Sequence, residues 1–99
     1  MAEQEKSGKV NEYFLSLVLS LSAAAIQQMG KIANPLTNKI EKNLEQAKIS
    51  IDMIEMLVEK TKGNLTQEEN HLIASTLSDL QLNFVDELEK DKKTEHRTN

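Results

Sequence analysis

Ninety-nine residues, 38% hydrophobic and 28% charged, are enough for one domain with a single modest core, and 3% aromatic content (Tyr13, Phe14, Phe84) makes that core aliphatic. The chain has no cysteine, which excludes a disulfide framework, a thiolate metal site and a cysteine nucleophile. A net charge of −4 with interspersed signs lacks the concentrated basic patch that a nucleic-acid surface needs.

Residues 1–10 are polar and read as a flexible N-terminal segment. The spacing then predicts a helix over 11–29, the least polar of the chain. Phe14, Val18, Leu21, Ala25 and Met29 form one apolar stripe, Leu15, Leu19 and Ile26 form a second, and Leu17 and Ala24 flank them. Ser16, Ser20 and Gln27 form a narrow polar strip, and apolar character covers roughly 200° of the circumference against ~100° for an ordinary surface helix. The run "FLSLVLSLSAAAI" (14–26) has the look of a signal-peptide core, but Glu3 and Glu5 offset Lys6 and Lys9 ahead of it. It also falls short of the ~20 apolar residues of a membrane span. The expectation is a cytoplasmic protein that does not insert into membranes.

Gly30 ends this first run, and Asn34-Pro35 and Asn38-x-x-Glu41 compete to open the next helix, predicted over 39–62. Its main stripe is Ile40, Leu44, Ala47, Ile51, Ile54 and Val58; Ile49, Met53 and Met56 form a second stripe on the opposite side. Asp52, four residues after Lys48, reads as half of an exposed helical ion pair.

The stretch "EKTKGNLTQEEN" (59–70) separates two long segments free of Gly and Pro. Gly63 is placed to end one helix at C′, with Lys60 and Lys62 in its last turn. Thr66 opens the next as N-cap, and Glu69 completes a Thr-x-x-Glu capping box. The joint is tight, so the helices over 39–62 and 67–90 should form an antiparallel hairpin. In the last helix Ile73, Leu77, Leu80, Phe84 and Leu88 make the inner stripe, with Leu72 and Val85 beside it. Residues 91–99 alternate Lys, Glu and Arg and read as a disordered charged tail.

"IDMIEMLVEKTKGNLTQEENHL" (51–72) resembles the bacterial domain-of-unknown-function family 1844 through Ile51-Asp52, Leu57, the run Glu59 to Thr66, and Glu68-Glu69. The similarity extends through "FLSLVLSLSAAAIQQMG", "NPLT" and Leu80 to Val85, covering most of residues 13–88. The resemblance implies a small helical protein with no established activity. Asn38 stands where that family often has Gly, and Gln81 and Phe84 where it often has Arg and Tyr.

The chemistry on offer is thin. Glu68-x-x-His71 puts a carboxylate and an imidazole on one helical face, the spacing that di-iron bundles use twice with two further Glu. One copy falls short, unless a dimer supplied a second together with Asp52 or Glu55. Glu68 already has a purpose at a helix N-terminus. No cofactor-binding motif, phosphate loop or nucleophilic constellation is present, so the expectation is not an enzyme. The composition leads instead to an all-α domain over 11–90 that carries more apolar surface than three helices can cover. It should self-associate, as a symmetric dimer by default, with a further protein partner open. The interface candidates are Leu15, Leu19, Ile26, Ile49, Met53 and Met56. The alternative is a bundle that binds a metal or small molecule; a membrane-surface protein is a third reading.

Overall fold

A computed structural model describes residues 9–98, with side chains through Lys93; the N-terminal segment 1–8 and Asn99 lie outside the described residues. Three helices follow one another, α1 (Glu12–Gln28), α2 (Leu44–Lys60) and α3 (Gln67–Thr98). No β-strand occurs among the described residues; one isolated bridge joins Asn34 to Lys39.

Each helix starts where a side chain can take up an orphan N–H. Asn11 caps α1, its Oδ1 accepting from the N–H of Tyr13 (2.8 Å) and Phe14 (3.0 Å). The end of α1 is a Schellman motif: Gly30 N–H donates to the Gln27 carbonyl and Lys31 N–H to that of Ile26. Gly30 takes φ +81°, as that motif requires.

The middle helix begins later than the sequence spacing predicts. Asn43, not Asn38 or the residue before Pro35, caps α2, accepting from Gln46 N–H at 3.1 Å. Residues 34–41 instead fold into a turn. Asn34 Oδ1 accepts from Leu36 N–H, Asn34 N–H donates to the Lys39 carbonyl, and Glu41 accepts from Asn34 Nδ2 and Thr37 Oγ1. Asn38 sits at φ +61°, a left-handed conformation that Asn tolerates better than most residues. Ile40 is therefore a loop residue with 61% of its surface exposed and not the first member of the α2 core stripe.

At the next joint Thr61 is the C-cap, which puts Gly63 one residue beyond its expected place. There it takes φ +84° in a turn closed by Asn64 N–H donating to the Thr61 carbonyl. The capping box forms as the spacing predicts: Glu69 N–H donates to Thr66 Oγ1 (3.1 Å), and Thr66 N–H donates to Glu69 Oε1 (2.9 Å). Beyond residue 90, where the sequence spacing ends the helix, α3 continues to Thr98.

Two ties fix the helix directions. Asn11 N–H donates to Glu69 Oε2 at 2.7 Å, joining the start of α1 to the start of α3. Lys31, just past α1, lies 2.8 Å from Glu87, far along α3. The two helices therefore run parallel, and α2 returns antiparallel to both, making the α2–α3 hairpin that the short joint requires. The core between them is Val18, Ala25 and Met29 from α1, Ala47, Ile51 and Ile54 from α2, and Ile73 and Leu80 from α3. All eight belong to the inner stripes read from the sequence. No described helix is long and apolar enough to cross a membrane.

Candidate interaction surface

The side chains that pack and those that do not are separated by the helical repeat. On α2, Ile49, Met53 and Met56 lie roughly 160° around from Ala47, Ile51 and Ile54. With the second set buried, the first must face out, and it does, at 46%, 43% and 46% exposure. The same outer strip begins at Glu45, in the first turn of the helix, and ends at Lys60, in its last turn, both exposed. These five positions fall within about 80° of arc. Among the described residues, neither Glu45 nor Lys60 has an ion-pair partner.

Which part of α1 adjoins this strip follows from one polar contact. The Gln28 carboxamide sits 2.7 Å from the buried Ser50 hydroxyl on α2. With its nitrogen turned inward, the amide also reaches the Ala24 and Gln46 carbonyls at 3.1 Å. Gln28 thus marks the edge of α1 that meets α2. Leu17, Leu21 and Ala24 lie within about 40° of Gln28 on the helical count, so they share that edge. On α2, Leu57 and Met53 lie within about 60° of Ser50. Leu17 is 45% exposed on this edge, and Tyr13, at the start of α1, is 85% exposed.

The α1 interface candidates fall elsewhere. Leu15, Leu19 and Ile26 lie about 140–180° from Gln28, on the flank away from α2. Leu19 is half exposed, while Leu15 and Ile26 are partly buried and Ile26 packs against the core. The structure therefore brings Ile49, Met53 and Met56 together but sets the Leu15, Leu19 and Ile26 group on a different side. Leu17, a flanking residue by its sequence pattern, lies on the Gln28 edge of α1 and is 45% exposed. Further exposed apolar side chains are Leu36 at the tip of the 34–41 turn, and Leu82 and Val85 on α3.

Charges hold the frame beneath these surfaces. Glu87 is buried among three lysines: Lys31 Nζ at 2.8 Å and Lys90 Nζ at 3.2 Å from Oε2, and Lys42 Nζ at 2.8 Å from Oε1. Hydrogen bonds from Lys31 and Lys42 outweigh the burial cost and pull the Glu87 carboxyl down to about 2. Lys42, bonded also to Asp91 at 2.7 Å, is pushed up in turn, chiefly by Asp91 and then by Glu87. Lys31 follows α1 and Lys42 precedes α2, so Glu87 clamps both ends of the connecting loop. Glu69 is also held below the ordinary carboxylate value, first by the Thr66 N–H and further by those of Asn11 and the Thr66 hydroxyl, against the opposing effect of burial. The sequence gives no signal for Glu87, because its partners come from three separate segments.

The other candidates are plainly placed. Lys48 and Asp52 form the expected i,i+4 pair at 2.9 Å, which raises the Lys48 ammonium. Glu68 and His71 are both exposed at the start of α3, on an open depression with Val10 and Leu72. Among the described residues no further His, Asp or Glu joins them as a set able to hold a metal. Gln81 and Phe84 line a small groove of about 180 Å³ between α2 and α3 with Ile51, Asp52 and Val85.

Comparison with known proteins matches the chain to no curated protein and to no solved structure. A family model described as domain of unknown function (DUF1844) does match, over residues 11–86. That span takes in all of α1 and α2 and α3 as far as Asp86, and the chain belongs to this family.

Proposed function

We propose that this chain is a non-catalytic helical module whose role is to associate with protein surfaces, first of all with a second copy of itself. The observation that carries the reading is the outward strip of Ile49, Met53 and Met56, each left nearly half exposed by a fold that has finished its own core. Scattered exposed leucines are normal on a small protein, but a contiguous apolar strip at helical spacing marks a contact surface. Methionine suits such a surface, because an unbranched thioether adapts to the shape it meets.

Light scattering after size exclusion tests the reading. The expected outcome is a mass of twice 11.2 kDa at micromolar concentration, with dissociation on dilution. A mass of one chain at every concentration would remove self-association from the account.

A further inference from the structure

The proposed self-association leaves open how two copies meet, and the charge order on the outer face of α2 bears on that. Read along the helix, the strip is Glu45, Ile49, Met53, Met56, Lys60: acid at one end, base at the other, apolar between. It is also nearly palindromic about its centre. The midpoint between Glu45 and Lys60 falls between Asp52 and Met53, and so does the midpoint between Ile49 and Met56. Two such strips laid antiparallel set Glu45 against Lys60 and Ile49 against Met56, with the two Met53 positions within one residue of the axis.

We infer that two copies of this chain pair through antiparallel α2 helices about a two-fold axis beside Met53, with Glu45 of each copy opposite Lys60 of the other. The inference rests on the self-association proposed above and adds its geometry. In this register Ile49 packs against Met56, and the two Met53 side chains meet at the axis. Gln46 comes opposite Glu59 and Lys48 opposite Leu57, so no like charges stand directly opposite one another. Asp52, which flanks the axis, carries its own Lys48 at 2.9 Å. A parallel pairing would instead stack Glu45 on Glu45 and Lys60 on Lys60. A two-fold contact of one face with itself closes after two copies, so the arrangement stops at a dimer. Glu45 and Lys60, which lack an ion-pair partner among the described residues, gain one across this contact.

Charge reversal tests the geometry separately from the association itself. Glu45→Lys and Lys60→Glu should each weaken the homodimer by roughly tenfold at low salt, because each places two like-charged pairs across the axis. Mixing the two variants should restore wild-type affinity, since in the heterodimer both pairs become opposite in sign. Loss of helix-dipole compensation within one chain cannot produce that rescue. Independently, Met53→Cys in this cysteine-free chain should be joined by a short thiol-to-thiol cross-linker. The rate should be roughly tenfold above that of Ser78→Cys, an exposed control on α3, reflecting the high effective concentration at the axis. A monomeric wild type overturns both the association and this pairing. A stable dimer that shows no mixing rescue and no preferential Met53→Cys cross-link leaves the association standing and overturns the pairing.

Discussion

Lys31 Nζ lies 2.8 Å from the buried carboxylate of Glu87, fastening the end of the first helix to the far part of the third. The Glu87 pKa of about 2 sets a sign for its pH dependence. A group depressed in the folded state contributes stability in full above its unfolded value of about 4.3, and loses it as pH falls toward the folded value. Glu87→Gln should therefore lower stability at neutral pH by about 1–2 kcal/mol, less than the full shift implies, because the lysines remain partly in water. Urea unfolding at several pH values checks this: the variant and wild type should converge between pH 4.5 and 2, a window set by the folded value of about 2.

Glu69 joins the starts of two helices, which makes its removal a non-local event. Glu69→Ala should speed amide hydrogen exchange in the first turn of α1, above all at Asn11, whose N–H loses its acceptor at 2.7 Å. The α3 cap should weaken as well, by about 1 kcal/mol. Faster exchange confined to α3 would show that the tie to Asn11 contributes nothing.

Two glycines of similar φ separate backbone strain from crowding. Gly63, at φ +84°, has open space where a Cβ would stand, so Gly63→Ala should cost only the left-handed conformation, about 1 kcal/mol. At Gly30, φ +81°, an added Cβ would meet Lys42 Cβ at 3.2 Å. Gly30→Ala should cost about 1 kcal/mol more than Gly63→Ala, since Lys42 is held by Glu87 and Asp91 and cannot easily move away. Thermal melts of the two variants read the difference directly.

What the residues disclosed in advance divides along local and non-local lines. The Thr66–Glu69 capping box and the Lys48–Asp52 pair depend on neighbours three or four apart and formed as the spacing predicts. The inner stripes supply all eight core residues, although Ile40 (61% exposed) and Leu88 (36%) at their ends fall outside the core. The start of α2 was harder to read because Asn34, Asn38 and Asn43 all have capping chemistry. Only the turn that Glu41 closes with Asn34 and Thr37 decides for Asn43. The Glu87 cluster could not be read at all, being assembled from 31, 42 and 90 by the fold. Likewise, the helical count recognised two apolar stripes on α1 but not which one α2 would adjoin. The Gln28–Ser50 contact decides that in favour of the first stripe, whose Leu21 lies on the Gln28 edge.

Inner and outer apolar residues of α2 should respond oppositely to truncation. Ile54, fully buried, should cost about 2–4 kcal/mol of fold stability when changed to Ala, through lost burial and the cavity left behind. Met53→Ala should leave the unfolding free energy of the monomer within about 0.5 kcal/mol of wild type. Its effect should appear in the concentration dependence of the melt, which flattens as the dimer weakens.

The most direct measurement is sedimentation equilibrium on the wild type beside Met56→Asp, with circular dichroism confirming that both are equally helical. The account predicts a monomer–dimer equilibrium for the wild type and a single species of 11.2 kDa for the variant, whose carboxylate would be trapped in the apolar contact. A wild type that sediments as a monomer throughout the micromolar range, or a variant that dimerises as tightly as wild type, would contradict it.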